Sequence, residues 1–129
     1  MISHILPFSL ALYKNLFLQT FGYEVTSTRT SGGDLYCLED NEQIVGWAEC
    51  ETTYSGTYLA WGGFVEGKKR AGYIFKALSE LDRLLPKKQK VMLVLNTNNE
   101  MLRIALKSGY TIIGINVENN ETQLKLVKG

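Results

Sequence analysis

Residues 66–75 read EGKKRAGYIF. The run ahead of them, TYLAWGGFV, has the composition of a strand, and the run behind them has the apolar spacing of a helix. A helix that starts directly after such a loop presents amide N–H groups, here those of residues about 70 to 74, with no intrahelical acceptor. The helix dipole adds about half a positive charge at the same place. Gly72 keeps a side chain out of the way, while Lys68, Lys69 and Arg70 add charge. The stretch therefore reads either as a cradle for a diphosphate-bearing ligand or as a solvated basic turn. It is not a Walker A loop, since G-x-x-x-x-G-K-[ST] does not occur, and G-x-G-x-x-G is absent as well.

Other residues with chemical potential are few. Glu49 and Glu51 alternate with Trp47 and so share one face of a strand. A carboxylate partly buried beside Trp47 could take a proton, directly or through water, and the plainer reading is the wet face of a sheet. Tyr58 and Asn96 are further polar groups for a cleft. Tyr54 and Trp61 fit a cleft wall or packing, with core the better reading of Trp61. His4 is the one histidine in the chain, which argues against a His/Cys metal site and against a Ser-His-Asp triad. The two cysteines, Cys37 and Cys50, flank a hairpin turn whose register sets residue 37 near 45–46, so they are expected as reduced thiols of a cytoplasmic protein.

The elements that must position these groups follow from periodicity. ISHIL is a short strand, and FSLALYKNLFLQTF is a helix closed by Gly22. VTSTRTSGG is a loop or frayed strand. DLYCLED and QIVGWAECE form a hairpin, and TYLAWGGFV is a third strand. From Arg70 to Leu85 the apolar positions Ala71, Ile74, Phe75, Leu78, Leu81 and Leu85 predict a helix that Pro86 ends. KVMLVLN is a buried strand, suited to parallel pairing. NNEMLRIALKSG is a second amphipathic helix, with Asn98 as N-cap and Gly109 beyond its end. YTIIGINVE and ETQLKLV form a terminal hairpin whose edge could pair with a second copy of the chain, giving a homodimer.

The 129 residues fit one α/β domain with a mixed sheet, spanning 1–129. The apolar stretch near the N-terminus has no leading basic region and reads as part of the fold. No apolar run approaches the ~20 residues of a membrane span. The net charge of +1, with GKKR and PKKQK at opposite ends of one helix, argues against nucleic acid as the main partner.

The chain here resembles the GCN5-related N-acetyltransferase (GNAT) superfamily. Lys69-Arg70-Ala71-Gly72-Tyr73-Ile74 is similar to its acyl-CoA loop, [QR]-x-x-G-x-[GA], at Gly72 and approximately at Lys69, and departs from it at Ile74. Asn98, eleven residues before Gly109-Tyr110, matches the superfamily's Asn, short helix and Gly-aromatic signature. The element order over residues 34–128 matches too, in a short and degenerate form of a kind also found in bacteriophage. The resemblance implies a GNAT-like, mostly antiparallel mixed sheet flanked by helices, a bulge at Gly62-Gly63 in the strand before the loop, and acetyl-CoA as co-substrate. It implies pyrophosphate on the amides of Arg70 to Ile74, pantetheine against the strand backbone near Phe64 and Val65, and Asn98 reaching the cofactor or fixing its loop. The implied activity is direct transfer of an acetyl group to an amine of a small molecule or protein, with Glu49 and Glu51 as the candidates for the base. Many members place a tyrosine acid where this chain has Ala105. That departure keeps open a protein that binds CoA, or a host protein, without turnover.

Overall fold

The computed structural model describes residues 2–25, 33–52, 56–85 and 88–129. The expectations for residues 26–32 of the loop, Tyr54 and Pro86 fall outside these residues, as does the one for the Trp61 side chain. The elements run β1 (Ile2–Leu6), α1 (Leu10–Phe21), β2 (Asp34–Asp40), β3 (Gln43–Thr52), β4 (Thr57–Phe64), α2 (Tyr73–Leu84), β5 (Lys90–Leu95), α3 (Asn99–Lys107), β6 (Thr111–Glu118) and β7 (Glu121–Lys128). The seven strands form one sheet in the order β1-β2-β3-β4-β5-β7-β6, antiparallel throughout except for the β4–β5 pair.

The β2–β3 and β6–β7 hairpins turn through pairs of left-handed residues, Asn41-Glu42 and Asn119-Asn120. Positive φ at both central positions gives a turn twist that matches the strand twist. Helix α1 begins at Ser9, whose hydroxyl accepts from the Leu12 amide, and ends at Gly22 with φ 78°. It packs on one face of the sheet through an aromatic cluster. Tyr13, Phe17 and Phe21 surround Trp47, with Tyr13 edge-on at 5.7 Å, and the Trp47 indole N–H donates to Thr20 Oγ1 at 2.7 Å. Leu35 and Cys37 complete this core. Helices α2 and α3 pack on the opposite face, where Leu78 and Ala105 meet Met92, Val94 and Leu126.

Three expectations about this frame need correction. Helix α2 starts at Tyr73, not Arg70, because Gly72 sits at φ 83° and the Tyr73 N–H closes a turn onto the Arg70 carbonyl. Phe75, counted in its apolar stripe, is exposed. Ile74, Leu78, Leu81 and Leu85 already define the buried face, and a residue 100° round the helix from Ile74 points off it. The bulge in β4 lies at Ala60, since Cys50 pairs with Leu59 and Glu49 with Trp61. Gly62 and Gly63 serve close packing instead. A Cβ on Gly62 would stand 2.8 Å from the Trp47 carbonyl oxygen, and one on Gly63 would stand 2.7 Å from Thr20.

Gly62→Ala should therefore destabilise by about 1–3 kcal/mol, the usual range for overpacking against fixed backbone. Gly114→Ala, whose Cβ meets nothing within 4 Å, should stay within about 0.5 kcal/mol of the parent in urea unfolding.

Candidate functional site

The site begins where two strands part. Strands β4 and β5 pair in parallel over Thr57–Leu59 and Lys90–Met92 only. On its other edge β4 stays paired to β3 as far as Phe64, and β5 stays paired to β7 as far as Leu95. The β5-facing edge of residues 60–64 thus carries no ladder, and a cleft opens toward the C-terminal ends of both strands. Backbone groups along such an edge need partners. An extended amide-bearing chain could supply them as an added strand would.

The loop 66–72 closes the mouth of this cleft. Gly67 and Gly72 both adopt positive φ, at 76° and 83°, which lets the chain double back from β4 into α2. The amides of Ala71, Gly72, Ile74 and Phe75 donate to no backbone carbonyl among the described residues. The Tyr73 amide is occupied by Arg70, so the expected run of available amides from Arg70 to Ile74 is interrupted there. The Tyr73 side chain also turns away, into a core with Leu38 and Val45, and donates to the Asp40 carboxylate. That hydrogen bond holds the phenol's pKa above its ordinary value, with burial as the second cause. Val65 is likewise engaged, its N–H donating to the Val45 carbonyl at 3.0 Å and its carbonyl accepting from Lys68 at 2.9 Å. Phe64 pairs with Gly46 and packs partly buried against Tyr73.

A cavity of roughly 220 Å³ lies against this loop, lined by Lys69, Arg70, Ala71, Gly72 and Ile74 and, from α3, by Glu100 and Ile104. Lys69 pairs with Glu100 across it. Neither Glu100 nor Ile104 is singled out by sequence reasoning. The available signal is Asn98, whose carboxamide oxygen accepts from the Met101 amide at 3.2 Å and fixes the first turn of α3 beside the loop. Asn98 is thus observed in the plain N-cap role.

Glu49 and Glu51 do share the face that carries Trp47, and their surroundings differ sharply. Glu49 is 1% exposed and pairs with Trp61, two positions past the last β4–β5 partner, at the fork itself. Glu51 is exposed and pairs with Tyr58, which is half-buried. The wet-face reading therefore fits Glu51 and not Glu49. Ala105 is 0% exposed, packed among Leu78, Met92, Val94 and Tyr110, so a tyrosine there would have to displace core side chains. Asn96 lies on the surface and its amide donates to the Thr122 carbonyl at 3.0 Å.

A seven-stranded sheet parted between β4 and β5, with a glycine-bearing loop at the mouth, defines the acyl-CoA N-acyltransferase class of fold. The chain has the GNAT acetyltransferase fold. Arabidopsis thaliana Naa50, solved with the bisubstrate analogue CoA-Ac-MVNAL, superposes with a TM-score of 0.77 at 15% identity, over 98% of each chain. A GNAT-family acetyltransferase from Bacillus cereus gives 0.74 at 15% identity, covering 99% of this chain and 97% of its own. A Bacillus subtilis acetyltransferase in complex with CoA gives 0.72 at 13% identity, covering 98% and 96%. No protein-family model and no curated protein matches the sequence.

The cysteines stand apart from this chemistry. Cys37 lies under α1 and Cys50 under α2, on opposite faces of the sheet, and both are free thiols. Burial pushes Cys50 up to about 12, helped by the charges of Glu49 and Asp34, and pushes Cys37 to about 11, helped by Glu39. Unfolded thiols ionise near their ordinary value of 9.0, so the unfolded state releases protons first. Stability should be full below pH 9 and fall as pH rises from 9 toward 11–12. Urea unfolding at stepped pH should show this decline, with a shallower slope in Cys50→Ala, and a thiol reagent at pH 8 should label both residues only after denaturation.

Proposed function

We propose that the protein is an acetyl-CoA-dependent N-acetyltransferase that transfers an acetyl group directly to the amine of a small molecule or a protein. The observation that carries the reading is the parting of β4 from β5 directly beside the amide-rich start of α2. An arm with amide groups can lie along the edge of residues 60–64 up to Phe64, and a diphosphate can rest on the amides of Ala71, Gly72 and Ile74 with the cations of Lys69 and Arg70 beside it. Val65 and Tyr73 then shape the loop from within, and Asn98 holds the first turn of α3 against it.

Acetyl-CoA supplies a thioester carbonyl; the amine nitrogen forms the new C–N bond, the C–S bond breaks, and the amine proton must leave. Glu49 stands at the fork and Glu51 with Tyr58 stands further out on the same face, so the amine is taken to approach from the side of the sheet that carries α1. Glu49 serves as the proton acceptor in this reading, with Glu51 drawing the cationic amine toward it. The thiolate takes its proton from water, since Ala105 offers no acid. Neither buried cysteine is placed to act as a nucleophile, so attack is direct. Two buried free thiols also suit a reducing cytoplasm, and among the described residues no helix is long and apolar enough to cross a membrane.

Ala105 favours a second reading, a catalytically silent relative that binds CoA or a host protein. Calorimetry with acetyl-CoA and with CoA should give micromolar binding. Gly72→Glu should weaken it at least ten-fold by setting a carboxylate against the diphosphate, and unchanged affinity in that folded variant would sink the loop assignment. On an amine panel, Glu49→Gln should lower kcat about 100-fold with acetyl-CoA affinity unchanged, the usual scale for losing a general base. Binding with no turnover of any amine would instead select the silent relative.

A further inference from the structure

The seven-stranded sheet ends on β6, an edge unlike the other one. Strand β1 closes the opposite side with five residues, and its His4 pairs with Glu39. Strand β6 has eight residues, TIIGINVE, with no lysine, arginine or proline and one formal charge at its last position. Edge strands are normally shortened, charged or interrupted, because their free N–H and C=O groups invite another strand. Ile112 and Ile113 are well exposed, and Ile115 and Val117 are 70% and 69% exposed.

Register fixes where these side chains stand. Ile112, Ile115 and Val117 pair with Leu126, Leu124 and Thr122 of β7, so they continue the α3 side of the sheet beyond the helix. Ile113 is the extra residue of a bulge between Ile112 and Gly114. Leu106 of α3 is also exposed on that side. The apolar row thus lies beside an unpaired backbone ladder.

We propose that this edge pairs antiparallel with β6 of a second copy about a two-fold axis at Asn116. That register sets Ile115 of each copy opposite Val117 of the other, on the same face, and extends the sheet across the dimer. The strand is its own complement, being neutral along its middle and β-branched at alternate positions. With a net charge of +1 per chain, two copies meet with little long-range repulsion. A single strand pair with a narrow apolar flank lies at the small end of specific interfaces, so the dimer forms at micromolar concentration or above.

Sedimentation equilibrium tests this. The weight-average mass should rise with concentration from 14.5 kDa toward twice that value. Ile115→Lys and Val117→Lys should hold the protein monomeric with its far-ultraviolet circular dichroism unchanged, while Leu18→Lys, at an exposed site on α1, should still dimerise. Hydrogen exchange of the unaltered protein should show β6 amides gaining protection with concentration, which decides the matter if a lysine variant fails to fold. A monomer at every soluble concentration, or a dimer untouched by both lysine substitutions, would overturn the proposal.

Discussion

The parallel pairing of β4 with β5 lasts for three register partners, and much of the molecule is arranged around that limit. Each strand continues past the fork because its outer neighbour holds it, β3 for β4 and β7 for β5. The sheet is therefore two half-sheets joined at a short seam, and each half has its own core. Trp47 and the α1 aromatics fill one, and Met92, Val94 and Leu126 with α3 fill the other. Helix α2 ties them together. Tyr73 at its start packs on Leu38 and Val45, Leu78 in its middle joins the α3 core, and Leu85 beyond its end meets Tyr36 and Cys50. A helix fixed to both halves cannot drift when the seam is short, so its N-terminus is held at the mouth of the cleft.

Electrostatics at that mouth is a balance rather than a simple positive patch. Lys68, Lys69 and Arg70 and the helix dipole favour an anion, whereas Glu100 lines the same cavity and engages Lys69. Both partners are about half exposed, so their attraction is worth at most ~1 kcal/mol and is weakened further by salt. A diphosphate offers Lys69 two charges in place of one. A bound diphosphate would therefore favour an exchange of partners at Lys69. The Asp82 carboxylate, by contrast, faces both Lys90, which is buried, and Lys128 at the far end of α2, where it secures the helix to the β5–β7 pair.

Element order, both hairpins, the three helices and the caps at Asn98 and Gly22 were legible because local signals set them: period, turn residues and side-chain caps. Features set by distant contacts were not. The β4 bulge depends on how β3 registers against it, so a Gly-Gly pair is a poor guide when its real duty is close approach to Trp47 and Thr20. Phe75 looked like core because it is apolar, yet helix phase put it outside. Glu100 was invisible since its role comes from a neighbour 31 positions away, Lys69. Alternation correctly put Glu49 and Glu51 on one face, but depth on that face is set by tertiary packing, which no short-range pattern encodes.

The magnitudes of the two proton transfers show which departure matters more. An alkylamine with a pKa near that of lysine, about 10.4, is mostly protonated at pH 7, and freeing its lone pair costs ~4–5 kcal/mol. A thiol with a pKa of about 8.5 leaves as thiolate at a cost of only ~2 kcal/mol relative to its protonated form at the same pH. A base at the fork would therefore act on the greater of these two costs, and an acid at position 105 on the smaller. If Glu49 takes the amine proton as proposed, the core alanine at position 105 leaves out the less valuable of the two groups. Direct transfer in such a site would depend chiefly on holding thioester and amine in line, the contribution that a short seam and a helix start tied to both half-sheets are suited to make.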